Sequence, residues 1–231
     1  MILENLSQPY VHHFQPVMAP SPLTQLLARS LEVPAGGVVI DVGCGSGLLS
    51  VAAVEHGARL VYAIDTNPLA LAETAALAKL AGCPRRILPM LADLCDLSTL
   101  VPGPIDAIVC NPPQLPSRAS HDDESERLAY DAGSDGRTYI RALIREVKAI
   151  SVRNGGTVPT VHLVTTSVAD PEATIRDLQA AGFRVSVVAE ATAPFRPAYY
   201  DVVDLLPAES YFCKDGELHE RLFSIRAIPR R

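Results

Sequence analysis

Apolar positions along this chain follow two alternating rhythms. Between residues 22 and 32, Leu23, Leu26, Leu27 and Leu31 fall at helical spacing. Val38-Val39-Ile40 is a short all-apolar run, the pattern of a strand buried on both faces. Residues 46–56 read as a helix closed by Gly57, and Leu60 to Ile64 as a second strand. Asn67-Pro68 opens the next helix, with Asn as cap and Pro in the first turn, and that helix stops near Gly82. Ile87 to Leu91 and Ile105 to Cys110 are the third and fourth strands. Ile140, Leu143, Ile144, Val147 and Ile150 share one face of a helix over 137–150. Gly155-Gly156 is a turn, Val161 to Thr165 a fifth strand, and Asp170-Pro171 caps a helix that Gly182 ends. Strands are expected near 183–189, 199–205 and 221–227.

This alternation predicts an α/β fold: a Rossmann-like, seven-stranded, mostly parallel sheet with helices on both faces. Residues 1–21 read as an N-terminal segment, a candidate lid, and residues 22–231 as one domain. Ligands of such sheets bind at the carboxyl ends of the strands, so the chemistry is sought there.

Asp41-Val42-Gly43-Cys44-Gly45-Ser46-Gly47 follows the first strand and opens a helix. Its glycines permit a tight turn and close approach of a ligand to the backbone. A dinucleotide fingerprint needs glycine at the first, third and sixth positions, and the sixth from Gly43 is Leu48. Asp41 puts a carboxylate at the mouth of the loop, where a pyrophosphate would be repelled and the cationic amino-acid end of S-adenosylmethionine would not. Asp65 ends the second strand and is placed to accept hydrogen bonds from both ribose hydroxyls, with Thr66 and Asn67 beside it. Asp93 and Leu94 follow the third strand, where Asp93 can hold an adenine amino group. Each aspartate alone is as readily a loop cap. Three at successive strand ends point to a nucleoside ligand.

Asn111-Pro112-Pro113-Gln114 ends the fourth strand. Two prolines stiffen the backbone and offer no amide hydrogens. What they leave is a pair of acceptors, the Asn111 side-chain oxygen and the Pro112 carbonyl. Such a pair suits an acceptor bearing an NH2 group. Positioning then supplies most of the catalysis of an in-line methyl displacement. The sulfonium is already an electrophile, so no metal is called for.

Taken together, DVGCGSG, the acid after the second strand and NPP after the fourth resemble the class I S-adenosylmethionine-dependent methyltransferases that act on amino groups of planar systems. Within that class the chain is similar to the HemK/PrmC type, which methylates glutamine side-chain amides in translation release factors. Ala129-Tyr130-Asp131-Ala132-Gly133-Ser134-Asp135-Gly136-Arg137 is similar to that family's Gly-rich stretch, and Pro20-Ser21-Pro22-Leu23-Thr24 resembles its Pro-x-x-Asp-Thr entry, with Leu23 where Asp is usual. The resemblance covers roughly residues 16–190. The family's fourth motif residue is aromatic and stacks on the substrate; here it is Gln114, which hydrogen-bonds but stacks poorly. The chain has only about 20 residues before the core, without the family's separate helical domain. Its tail beyond Ala193, with Phe195-Arg196-Pro197 and Tyr199-Tyr200, has no counterpart there.

Composition narrows the classes. A net charge of −6 argues against a domain gripping nucleic acid through its backbone. Arg221, Arg226, Arg230 and Arg231 read as a solvated basic tail rather than a nucleic-acid patch. Five cysteines (44, 83, 95, 110 and 213) form no CxxC pair, which disfavours both a disulfide framework and a zinc site. No apolar run reaches the ~20 residues of a membrane span, and the N-terminus carries no signal-peptide pattern, so the expectation is a cytoplasmic protein without a membrane partner. His12-His13 with Phe14 read as a surface segment or a lid, and His121-Asp122-Asp123-Glu124 as a solvated loop near substrate rather than a metal cluster. The expected activity is N-methylation of an amide or amino nitrogen, on a protein glutamine or a small molecule. An O- or C-methyltransferase of secondary metabolism and a non-catalytic cofactor-binding module are the rival readings.

Overall fold

The computed structural model describes residues 17, 19–100, 102–116 and 132–230. The His12-His13-Phe14 and His121–Glu124 segments, Ala129 to Asp131 and Arg231 lie outside the described residues.

Strands β1 (Val38–Val42), β2 (Leu60–Asp65), β3 (Ile87–Leu91), β4 (Ala107–Cys110), β5 (Thr160–Thr166), β6 (Phe183–Pro194), β7 (Tyr211–Lys214) and β8 (Glu217–Pro229) form one sheet. Its order is β3-β2-β1-β4-β5-β8-β6, with β7 paired to β8 off that path. β1 to β5 run parallel to one another, and β8 runs antiparallel to both β5 and β6. Helices α1 (Pro22–Ser30), α2 (Leu48–Glu55) and α3 (Pro68–Leu80) cover one face. The short α4 (Leu97–Leu100) with α5 (Thr138–Arg153) and α6 (Pro171–Ala180) covers the other.

Three of these helices start by one device. Ser21, Asn67 and Asp170 each accept a backbone N–H through the side chain, and each precedes a proline in the first turn. Along β1 the side chains alternate: Val39 packs with α1 to α3, and Val38, Ile40 and Val42 with α5 and α6. Asp41 therefore points to the α2 side, which decides its environment below.

One expected strand is corrected. Residues 199–205 are not a strand: Pro197–Tyr200 is a short helix, α7, followed by a 3-10 turn at Val203–Leu205. Pro197 fixes the first helical turn. Tyr199, Val202 and Leu206 recur every three to four residues and bury together with Phe195, Leu115 and Val168 in a third apolar cluster. The period there is helical, although valine and tyrosine favour strands. The excursion from Phe195 to Ser210 ends in β7, an eighth strand that the sequence pattern did not show. β6 and β8 both run well beyond their expected ends.

His162, in the middle of β5, is buried, and neither ring nitrogen has a hydrogen-bond partner. Burial alone pulls its pKa down to about 4. The unfolded chain takes up this proton below pH about 6.5, and the folded chain does not until about pH 4. Stability from the neutral ring is therefore present above pH 6.5 and is lost as pH falls toward 4. Against His162→Leu, the wild type should lose on the order of 3 kcal/mol between pH 7 and 4. Urea titrations of both proteins across that range measure it; parallel curves would refute the assignment.

Candidate functional site

A cavity of about 600 Å³ opens at the carboxyl ends of β1, β2, β3 and β4. That size suits a nucleoside-sized ligand. Its wall takes Gly43, Cys44, Gly45 and Ser46 from the loop after β1, Asp65, Thr66 and Asn67 after β2, and Asp93 and Leu94 after β3. Asn111, Pro112, Pro113 and Gln114 supply the wall after β4, Ser21 and Thr24 the side at α1, and Tyr139 and Arg196 come from elsewhere in the chain.

The glycine loop is built on left-handed backbone. Gly43, Gly45 and Gly47 have φ of 69°, 50° and 85°. A Cβ on Gly43 or Gly45 would meet nothing within 4 Å, so the loop presents bare backbone to open space. Gly47 differs: a Cβ there would lie 2.8 Å from the Thr74 Cα. Thr74 also ties the loop to α3 by donating its hydroxyl to the Gly45 carbonyl at 3.1 Å.

Asp41 is not where it was expected. Its carboxylate does not line the cavity but is fully buried beneath the loop, where the Ser50 hydroxyl of α2 donates to it at 2.6 Å. The reason is the strand period: Asp41 shares the face of Val39, which α2 covers. Burial pushes its pKa up to about 7, against the Ser50 hydrogen bond, and Asp65 adds to the rise. Asp65 does line the cavity. Its Oδ2 accepts the Gly45 N–H at 3.0 Å and its Oδ1 the Asn67 N–H at 2.9 Å, so it fixes the two loops on either side. Each oxygen keeps acceptor capacity for a hydroxyl. Asp93 is exposed and caps the turn after β3 through its Oδ1, accepting the Cys95 N–H at 2.8 Å. Burial raises the pKa of the Cys44 and Cys110 thiols, so neither cavity cysteine is a thiolate at neutral pH.

At the β4 end, Asn111 donates its Nδ2 hydrogens to Thr24 Oγ1 at 2.9 Å and Ser21 Oγ at 3.4 Å. That leaves the side-chain oxygen as what Asn111 offers the cavity. Gln114 is only 4% exposed and turns inward rather than toward a substrate. Its Nε2 donates to the carbonyls of Pro112 at 3.2 Å and Val164 at 3.0 Å, and its Oε1 accepts the Thr166 N–H at 3.2 Å. Gln114 thus braces the motif against β5, and the Pro112 carbonyl, expected as a substrate acceptor, already accepts one hydrogen bond. The Gly-rich stretch packs directly on this brace: a Cβ on Gly136, at φ 70°, would meet the Gln114 carbonyl at 2.4 Å.

Thr24, Ser21, Tyr139 and Arg196 were not singled out from sequence as site residues. The first two had a signal in the motif-like entry before α1. Arg196 lies two residues past the end of β6, so the strand-end rule would have found it had that strand been drawn to Pro194. If the α1 hydroxyls orient Asn111, Thr24→Val should lower methyl-transfer kcat about tenfold with little change in the affinity for S-adenosylhomocysteine. Steady-state kinetics beside calorimetric binding separates the two; an unchanged kcat would show that Thr24 serves only the helix cap.

Comparison with known proteins places this geometry in a lineage. Residues 22–112 match the family described as Ribosomal protein L11 methyltransferase (PrmA). A Methanocaldococcus jannaschii protein, provisionally named a protein N5-glutamine methyltransferase, is 30% identical over 180 residues, which cover 78% of this chain and 87% of that protein. The chain belongs to the HemK/PrmC-type family of class I methyltransferases. It is therefore an S-adenosylmethionine-dependent methyltransferase. The release factor glutamine methyltransferase of Mycolicibacterium smegmatis is 31% identical over 70% of this chain, and the match spans only 59% of that enzyme. In fold, the chain superposes on a chain of the E. cuniculi Mtq2–Trm112 complex with a TM-score of 0.57 at 18% identity, covering 93% of this chain and 99% of the other. The class I fold of this family is the one expected from the sequence: a mostly parallel sheet flanked by helices.

Proposed function

We propose that this enzyme methylates the side-chain amide nitrogen of glutamine in a protein, with S-adenosylmethionine held in the cavity and Asn111 holding the acceptor. The observation that carries the reading is the hydrogen bonding of Asn111. With both hydroxyls of α1 taking its Nδ2, the side chain presents an oxygen, and an oxygen acceptor selects an N–H donor substrate. The Pro112 carbonyl keeps a second lone pair, so the two together can accept both hydrogens of a planar NH2 group. Gln114 polarises and fixes that carbonyl from behind.

The wall fits the cofactor by the chemistry of its donor set. Asp65 would hold the ribose hydroxyls, Asp93 the adenine amino group through the oxygen not used in its cap, and the bare backbone of Gly43 and Gly45 would lie against the amino-acid end. Thr66, Asn67 and Leu94 close the adenosine side. Bound there, S-adenosylmethionine supplies a methyl group on a sulfonium, activated without a metal. The chain's own part is to hold the acceptor nitrogen in line with that methyl and to keep its N–H bonds in the plane of two fixed oxygens. Asp41 acts from below, by keeping the loop and α2 together.

The M. jannaschii and M. smegmatis relatives, both named as glutamine methyltransferases, support the choice of acceptor. The test is transfer from methyl-labelled S-adenosylmethionine into a lysate of the source organism, followed by complete proteolysis. Label recovered as N5-methylglutamine bears the reading out. Label confined to small molecules, or on oxygen or carbon, would replace it with metabolite methylation.

A further inference from the structure

The clamp on the Asn111–Gln114 motif does not end at β5. Thr166, whose N–H is accepted by Gln114 Oε1 at 3.2 Å, is the last residue of that strand and precedes the 3-10 turn Ser167–Ala169. A threonine hydroxyl at such a place ordinarily caps the turn that follows. This one does not cap it. It donates instead to the carboxyl of Glu220, two residues along β8 from Leu222, the residue that faces Thr166 across the ladder.

Glu220 is only 2% exposed, and Thr166 is fully buried. Burying a carboxyl carries a desolvation penalty, and an apolar pair would join β5 to β8 without it. Burial pushes the Glu220 pKa up to about 7, against the Thr166 hydrogen bond, the Arg196 charge and the Tyr199 hydroxyl, which all favour the ionised form. In either protonation state the carboxyl keeps an oxygen able to accept the Thr166 hydroxyl. Tyr199 and Arg196 approach from the excursion after β6, where the Arg196 guanidinium donates to the Tyr199 hydroxyl. Glu220 also lines a small cleft with Ser21 and Pro22 at the start of α1, and Ser21 Oγ is one of the two hydroxyls that accept from Asn111. The carboxyl therefore stands where β5, β8 and the start of α1 meet. It touches the support of the Pro112 carbonyl and neighbours that of Asn111.

We propose that Glu220 is a positioning residue for methyl transfer. By holding the Thr166 hydroxyl it fixes the end of β5, and with it the Thr166 N–H that orients Gln114. Gln114 Nε2 in turn sets the Pro112 carbonyl. The inference rests on the reading above, in which that carbonyl accepts a hydrogen of the substrate NH2 group. Glu220 does not line the main cavity, so its effect passes through geometry alone. A Pro112 carbonyl that moves would let the acceptor nitrogen leave the line of the methyl group, slowing transfer while the cofactor contacts stay intact.

The experiment compares the full wild-type chain with Glu220→Ala, Glu220→Gln and Thr166→Val. It follows N5-methylglutamine formation from methyl-labelled S-adenosylmethionine in a lysate of the source organism, at saturating cofactor. Calorimetric binding of S-adenosylhomocysteine and urea unfolding accompany it. Glu220→Ala should lower turnover about tenfold, with S-adenosylhomocysteine affinity within about threefold of wild type. Glu220→Gln restores an oxygen for Thr166 and should return turnover to within about threefold of wild type. Thr166→Val keeps the backbone N–H but not the hydroxyl. It should reproduce the loss of Glu220→Ala, and the double variant should lose no more than either single one. Thr166→Val carries the test by itself if Glu220→Ala does not fold. Unchanged turnover in the folded variants, with only the urea midpoint lowered, makes the contact purely structural and overturns the proposal. A parallel loss of S-adenosylhomocysteine affinity overturns it in favour of the cofactor site. Glu220→Gln as slow as Glu220→Ala overturns the route through Thr166. A wild type that labels no glutamine removes the reading of the acceptor itself, whatever the variants do, and this inference with it.

Discussion

Asn111→Ala should abolish methyl transfer, lowering kcat by about a hundredfold or more, while S-adenosylhomocysteine binds within about threefold of wild type. The split follows from where Asn111 sits. Its Nδ2 is engaged by Thr24 and Ser21 on the α1 side, and the adenosine wall is made by other loops. Truncation removes the oxygen that would hold the acceptor and leaves the nucleoside contacts untouched. Loss of positioning at the reacting centre alone costs about a hundredfold for a displacement of about 1 Å. Asn111→Asp is the informative companion, because it keeps an oxygen of the same reach. The α1 hydroxyls can rotate to donate to its carboxylate, so it should retain more activity than the alanine variant. Kinetics with labelled cofactor, beside calorimetry with S-adenosylhomocysteine, measures both quantities. Full turnover in Asn111→Ala would remove the motif from the mechanism.

Gly47→Ala should be the most damaging single change in the glycine loop, and it should act on stability before it acts on binding. Gly47 lies at φ 85°, which costs a residue with a Cβ about 1–2 kcal/mol. The new Cβ would also lie 2.8 Å from the Thr74 Cα and 2.9 Å from its Oγ1. The first of these is backbone of α3 and cannot swing aside, so α2 and α3 must separate or the loop must distort. Overpacking of this kind adds about 1–3 kcal/mol. The sum, about 3 kcal/mol, is a large part of the stability of a domain of this size. Gly45→Ala is the control: its φ is 50°, but a Cβ there meets nothing within 4 Å, so only the conformational cost remains. Urea unfolding should place Gly47→Ala well below Gly45→Ala. Equal midpoints would mean that the close approach of loop and helix is not the constraint.

The strand ends that carry Asp65, Asp93 and Asn111 were legible in the chain because local rules fix them. A short apolar run bounded by turn residues reads as a strand with a loop at its end, and the caps Ser21, Asn67 and Asp170 before proline mark where helices begin. The glycine loop and NPP were readable for the same reason: their meaning lies in backbone conformations that only those residues adopt or impose. The order of the sheet, by contrast, brings β4 beside β1 although residues 43–106 lie between them in the chain, and β8 between β5 and β6; no local pattern encodes that.

The sequence by itself determined the class of fold, the loops that open into the cavity and the family to which the enzyme belongs. Only the tertiary structure decided which way the polar side chains face. Asp41 went beneath the loop because β1 places it on the face that α2 covers. Gln114 became a brace because Val164 and Thr166 of β5 offered buried backbone groups that needed partners. Arg196 reached the cavity because the excursion after β6 folds back through Tyr199 and Phe195. In each case a hydrogen-bonding or apolar side chain took the partner that packing brought to it from a distant segment, and the identity of that partner is a property of the assembled layers rather than of neighbouring residues.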